Sequence, residues 1–320
     1  MPIVSKKIIP KKPSQIIRCF SLKEFSNKRN KILIVRGIGG LGDILMHRMM
    51  FEDFCLLMPD CEIHFACPTQ YHDAVKDHPF VAKVLDSNHV DRGNYIVSYT
   101  TTKACGAYEG RKAPISDMNR SDIWAAHCGL KLTRHNMHIS MTSDELKIAN
   151  TYLEPYRDKP VVVLCPISSM ASKNLNDTQI KDTVKGLYER GYNVVTLHDK
   201  ALPYNIPCIT HVNTRIWMAI LHQADHVISV DTAAFHCRGG MQKSVLGVFA
   251  WSNGEIYGHH YNKKVIVQGP CPLGHRGCYT WNACPVDRKT LTKKPCIMEL
   301  TAQSILLSFD QLVDKYSERD

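Results

Sequence analysis

Residues 31–49 read KILIVRGIGGLGDILMHRM, an apolar run that breaks into closely spaced glycines and resumes, after an aspartate, as a second apolar run. KILIV has the continuous hydrophobicity of a parallel strand buried on both faces, and DILMHRMMFEDFCLLM spaces its apolar residues at helical intervals. CEIHFAC, from Cys61, supplies the next strand and completes one βαβ unit. The glycine-rich turn between strand and helix is the kind of place where backbone meets a ligand. Gly37, Gly39 and Gly42 even reproduce the G-x-G-x-x-G spacing of a dinucleotide site. Asp43 opposes that reading, because a carboxylate in the first helical turn repels pyrophosphate. It also suits the helix dipole, so a helix cap is its plain structural role, and a general base toward a substrate hydroxyl is its chemical one.

Outward from this unit the pattern repeats. VVVLCP, YNVVTL, HVISV and SVLGVFA read as strands, separated by the helical stretches DTQIKDTVKGLYERG, TRIWMAILHQA and TAAFHCRGGM. Strand and helix alternate in both halves, which predicts two doubly wound α/β domains. The expected division is a basic N-terminal arm at 1–30, an N-terminal domain at 31–145, a C-terminal domain at 146–300, and an amphipathic helix at 301–320 packing back toward the N-terminal domain. From 84 to 134 the patterning weakens, and an irregular or substrate-facing insertion is expected there.

The 320 residues are 44% hydrophobic, enough for two cores. The net charge of +10 favours a polyanionic partner. No apolar run approaches the ~20 residues that span a bilayer, and no secretory leader is evident, so a cytoplasmic protein is expected. Of the thirteen cysteines, nine are scattered, several in apolar contexts typical of buried free thiols.

Two further strand ends carry candidate chemistry. In HVISVDTAAFH, Asp231 and Thr232 close a strand and open a helix, where backbone N–H groups point outward as a phosphate site, and Ala233 leaves room for a ligand. In CPISSMASKNL, Ser168, Ser169 and Ser172 offer hydroxyls and Lys173 a compact positive charge, a set suited to a diphosphate leaving group. Each alone has a bland reading as an ordinary turn or a solvated lysine. Together they lie where ligands of open α/β sheets bind, at the carboxyl ends of strands.

KILIVRGIGGLGDILM together with VISVDTAAFHCRGGMQKSVLGVFA resembles the paired signatures of glycosyltransferase family 9, the heptosyltransferase-like enzymes. The likeness covers roughly residues 31–310. It implies a GT-B architecture of two facing Rossmann-like domains, the nucleotide-sugar donor held mainly by the C-terminal one and the acceptor by the N-terminal one. It also implies inverting transfer that requires no metal or other cofactor. By position Asp43 would be the general base, on a loop whose Gly39, Gly40 and Gly42 let the acceptor approach. Lys173 would be the partner of the donor phosphates, and Asp231, Thr232 and His236 the donor turn. Ala233 stands where the family has glycine, no aromatic follows Lys173, and His198 with Asp199 occupies the position expected to face the donor ribose.

The acceptor stays open between a lipopolysaccharide core sugar, which the family implies, and a hydroxymethylated base in DNA, which the basic arm suits. Two other classes remain. A NAD(P)-dependent oxidoreductase needs an acidic residue at the end of the second strand, where the chain has Cys67 and Thr69. A non-catalytic nucleotide-sugar-binding protein would keep the donor site and tolerate loss of Asp43. Finally, Cys271, Cys278, Cys284 and Cys296 concentrate in one polar, basic segment; a structural zinc held by four thiolates, or reduced thiols packed beneath the loop, both fit. His259 and His260 follow the last of these strands with no role assigned.

Overall fold

The computed structural model describes residues 30–113, 115–202, 205–271, 273 and 295–316. The basic arm up to residue 29 lies outside the described residues, as do Cys278 and Cys284. Strands β1 (Lys31–Val35), β2 (Glu62–Cys67), β3 (Lys83–Asp86) and β4 (Val97–Thr100) form a parallel sheet in the order β3-β2-β1-β4. A second parallel sheet is built from β5 (Val161–Cys165), β6 (Asn193–Leu197), β7 (Cys208–Ile209), β8 (His226–Val230), β9 (Val245–Phe249) and β10 (Lys264–Gln268), in the order β10-β9-β8-β5-β6-β7. The β1 and β5 segments are almost entirely apolar because helices cover both faces of each sheet. Strand order reverses between β1 and β4 and between β5 and β8. At such switch points the loops leave in opposite directions and open a crevice.

The segment from 84 to 134 corrects the first of its two expected characters. It is not irregular but holds β3, β4 and the helices Ala104–Lys112 and Arg120–His127. Its polar composition hid them because the helices bury only narrow faces, through Cys105 and Glu109 in one and Ile123, Trp124 and Ala125 in the other.

The last helix, Ala302–Tyr316, also differs from expectation. It packs on its own domain, against helix Asp177–Glu189 and the edge strand β10, not on the N-terminal domain. Ile305, Leu306, Phe309 and Leu312 recur at helical spacing and enter a cluster with Val162, Ile180, Val184 and Leu187. Each such side chain, fully buried, contributes about 1.5–3 kcal/mol. Gly186 admits Leu306, whose methyl would collide with any Cβ there. Arg190 clamps Asp310 with two hydrogen bonds, at 2.9 and 3.0 Å.

The two domains meet along a seam. Helix Leu41–His47 lies against helix Ala233–Gly240. The side-chain amide of Asn119 donates to the carbonyls of Ile256 and Tyr257. Asp77 of the N-terminal domain pairs with its own Arg48 at 2.8 Å and with Arg215 of the C-terminal domain at 3.2 Å. Among the described residues, no helix is long and apolar enough to cross a membrane. Among the described residues no cysteine forms a disulfide, and burial pushes Cys67, Cys165 and Cys237 up to about 12, which makes them inert.

Candidate active site

The loop after β1 is built around one carboxylate. Gly40 caps helix Leu41–His47, and Asp43, at its third position, accepts the Gly40 N–H on Oδ2 at 3.3 Å. Asp43 is therefore not the helix cap that its plain structural role called for: the cap is Gly40, and Asp43 reaches back to it from the third helical position. Two guanidiniums then close on it. Arg36 Nη2 reaches Oδ2 at 3.1 Å and Arg120 Nη1 reaches Oδ1 at 3.0 Å. Burial works to raise the Asp43 pKa, but Arg120 and Arg36 together outweigh it and hold the carboxyl below the usual carboxylate range. Arg36 is anchored by the Thr101 and Thr102 carbonyls, and Arg120 by a bidentate pair to buried Glu109. Tyr257, from the other domain, donates its hydroxyl to the same Glu109 at 3.1 Å.

The three glycines have separate duties. Gly39 sits at φ +141°, and a Cβ there would lie 2.7 Å from Asp43 Oδ2 and 2.8 Å from Arg36 Nη2. Only glycine permits both the turn and the ion pair. Gly40 faces open space. Gly42 looks across the seam, where a Cβ would come within 3.1 Å of the His236 ring and 3.5 Å of Ala233 Cα. All three glycines border the cleft, and Gly42 in addition lets helix Leu41–His47 approach helix Ala233–Gly240. Beneath the helix, His47 donates from Nδ1 to the Asp43 carbonyl at 2.7 Å, accepts at Nε2 from Thr101, and stacks on Trp124 at 3.9 Å. Burial, with Arg36 adding to it, drops the His47 pKa to about 3, so the ring is neutral.

The facing wall comes from the ends of β5 and β8. Asp231 is only 5% exposed; its Oδ2 accepts from Lys173 Nζ at 2.8 Å and from the Ser252 hydroxyl at 2.6 Å. His236 Nε2 stands 3.9 Å from the other oxygen, and its Nδ1 meets the Tyr261 hydroxyl at 2.8 Å. Burial opposes ionisation of Asp231, and Lys173 and His236 overcome it, leaving the carboxyl far below its ordinary value. Thr232 is the N-cap of helix Ala233–Gly240 and spends no side-chain hydrogen bond on it. Ser168 braces the preceding loop, its Oγ reaching Asn174 at 3.1 Å and the Met170 carbonyl at 2.9 Å.

These residues share one cleft of about 580 Å³, lined by Gly39, Gly40, Gly42, Asp43, Ser168, Ser169, Lys173, Asp231, Thr232, Ala233 and His236. His198 lies outside it, on an adjoining cavity of about 320 Å³ that it shares with Ser168, Ser169, Asp199, Trp217 and Thr232. Ser172 is buried and lines neither. Cys271 is half-buried and Cys296 buried; the proposed four-thiolate set cannot be placed because its other two members lie outside the described residues. Sequence reasoning missed Arg36, Arg120, Glu109 and Tyr257. Only Arg36 gave a signal, as a charge ending an apolar strand.

Two α/β units, each a parallel sheet opening its strand ends onto a common cleft with a carboxylate on one wall and a lysine with a helix N-terminus on the other, make a GT-B fold. No family model matches the chain, and no curated protein matches it in sequence. Solved structures do match. The chain is similar to the family 9 glycosyl transferase of Veillonella parvula, with a TM-score of 0.66 and 10% identity over 90% of this chain and 99% of that one. It is similar to the ADP-heptose lipopolysaccharide heptosyltransferase II of E. coli, with a TM-score of 0.64 and 11% identity over 90% and 99%. It also resembles TibC, a dodecameric iron-containing heptosyltransferase of E. coli solved with ADP-D-β-D-heptose, with a TM-score of 0.68 and 15% identity over 90% and 77%.

Proposed function

We propose that the chain is an inverting glycosyltransferase that moves a sugar from a nucleoside-diphosphate sugar to a hydroxyl of a polyanionic acceptor. The observation that carries this reading is the convergence of Asp43 from one domain and the Lys173–Asp231–His236 group from the other on a single cleft of a GT-B fold. The N–H groups at the start of helix Ala233–Gly240 and the remaining N–H donors of Lys173 would receive the diphosphate and the adjoining cavity beside Trp217 and His198 the nucleoside, a ligand class that the similar structure of TibC holds as ADP-D-β-D-heptose.

Chemistry follows from what Asp43 has left. A carboxylate offers about four acceptor positions. Arg36, Gly40 and Arg120 occupy three, and the side chain is 15% exposed toward the cleft. The remaining position can hold the acceptor hydroxyl. As its oxygen attacks the anomeric carbon from the face opposite the diphosphate, the carbon–oxygen bond to the β-phosphate breaks and the nucleoside diphosphate leaves with the electron pair. A carboxylate with so low a pKa is a weak base, and it suffices because the attacking oxygen becomes strongly acidic once its new bond forms; proton transfer to Asp43 comes late. Lys173 and the helix N-terminus meet the charge on the leaving diphosphate.

The oxidoreductase reading loses support at β2, whose last residue, Cys67, is buried and offers no carboxylate for a ribose. The test is to incubate the full chain with a panel of nucleotide sugars, with truncated lipopolysaccharide or hydroxymethylated DNA as acceptor, in the presence of a chelator. Glycosylated product in one arm, with thermal stabilisation by a nucleoside diphosphate, is the expected result. Stabilisation by NAD alone and no transfer in any arm would overturn it.

A further inference from the structure

The seam between the domains carries a second group of side chains that the cleft does not use. Asp122 comes from helix Arg120–His127, His135 from the loop that follows it, and His260 from the opposite domain, just beyond helix Gly254–Tyr257. One ligand-capable atom from each lies within 4.8 Å of the other two. His260 Nε2 is 2.8 Å from Asp122 Oδ2, and His135 Nε2 is 3.9 Å from Asp122 Oδ1. None of the three lines the cleft.

We propose that Asp122, His135 and His260 form a binding site for a divalent first-row transition-metal ion that bridges the two domains. Two imidazoles and a carboxylate are the donor set that zinc and ferrous iron favour. Metal–ligand bonds of about 2.0–2.2 Å place tetrahedral ligand atoms roughly 3.4 Å apart, in the middle of the separations found here. The two rings now stack face to face, 3.9 Å apart and 15° from parallel, and an ion in both ring planes needs one ring to turn. His135 is the one with room, its side chain 34% exposed against 7% for His260. The proton shared between His260 and Asp122 is the one that the ion displaces, to Nδ1 or to solvent. Partial exposure leaves further coordination positions to water. Because Asn119 already ties the same seam to the Ile256 and Tyr257 carbonyls, the three ligands are held near one another before any ion arrives.

This site is independent of the transferase reading, and so is its test. The full chain, stripped with a chelator, is titrated with Co²⁺ and followed by absorption, then with Zn²⁺ against a chromogenic competitor. A cobalt spectrum with d–d bands from a site that shows no thiolate-to-metal charge transfer separates these ligands from any bound by cysteines. His135→Asn and His260→Gln each remove an imidazole. Asn tolerates the φ of +53° at position 135, so that variant keeps the loop. The expected result is metal affinity weakened in each variant by at least the ~10–100-fold that loss of an outer-shell partner costs, with unchanged circular dichroism. Wild-type protein that binds neither ion, binding equal in wild type and both variants, or cobalt seen only with thiolate charge transfer would overturn the proposal.

Discussion

Two aspartates anchor the two walls of the cleft, and they are ion-paired in different ways. Asp43 has two guanidiniums, a backbone N–H and 15% of its side chain still open; Asp231 has one ammonium, a hydroxyl and almost no exposure. Both are held ionised, so charge state does not distinguish them. Access does. Asp43 keeps an edge for a substrate, whereas Asp231 is consumed in fixing Lys173. Although Asp231 borders the same cleft, its contacts suit a scaffold role in which it orients the lysine.

The sharpest consequence is for stability. Asp231 has a single full cation, so Lys173→Met strands a buried carboxylate and should cost about 3–5 kcal/mol in denaturant unfolding. Arg36→Met leaves Asp43 with Arg120 and should cost less, about 1–3 kcal/mol, mostly from the orphaned Thr101 and Thr102 carbonyls. Equal losses in the two variants would break the comparison.

The base of the N-terminal loop adds a pH signature. His47 has its folded pKa at about 3, below the ordinary value of about 6.5. Between those values the unfolded chain binds a proton and the folded chain does not, so this contribution is complete above pH ~6.5 and is lost as pH falls toward 3. By pH 5 about 2 kcal/mol of it has been lost. The difference in unfolding free energy between pH 7 and pH 5 should shrink by that much in His47→Gln, and an unchanged difference would show that the ring titrates normally. The smallest effect belongs to the seam. Tyr257→Phe removes one hydrogen bond to Glu109, costing about 1 kcal/mol, and should lower the transfer rate more than donor affinity because it loosens the Glu109–Arg120–Asp43 chain.

Much of this was legible in the chain. KILIV and VVVLC are buried strands because no residue in them but one lysine could face water, and their glycine and serine loops mark the strand ends where the cleft opens. Asp43, Lys173 and Asp231 could be picked out because each follows such a strand. Arg120 could not, since it lies 77 residues from Asp43 and meets it only after two helices fold in a segment whose polar surface masks their periodicity. His260 and Asp122, 138 residues apart, were equally hidden. The placement of helix Ala302–Tyr316 was misread because an apolar stripe shows that a helix is buried but not against what. Its partner is defined by Gly186, a gap that matters only in three dimensions.

The most direct test is on Asp43 itself. Wild type and Asp43→Asn are compared in single-turnover transfer with saturating donor, alongside the affinity of each for the nucleoside diphosphate. The expected result is transfer slowed by about 10²–10⁴-fold with donor affinity unchanged, since the asparagine keeps the shape of the loop but cannot take the proton. Equal transfer rates in the two proteins would contradict the assignment of Asp43 as the base.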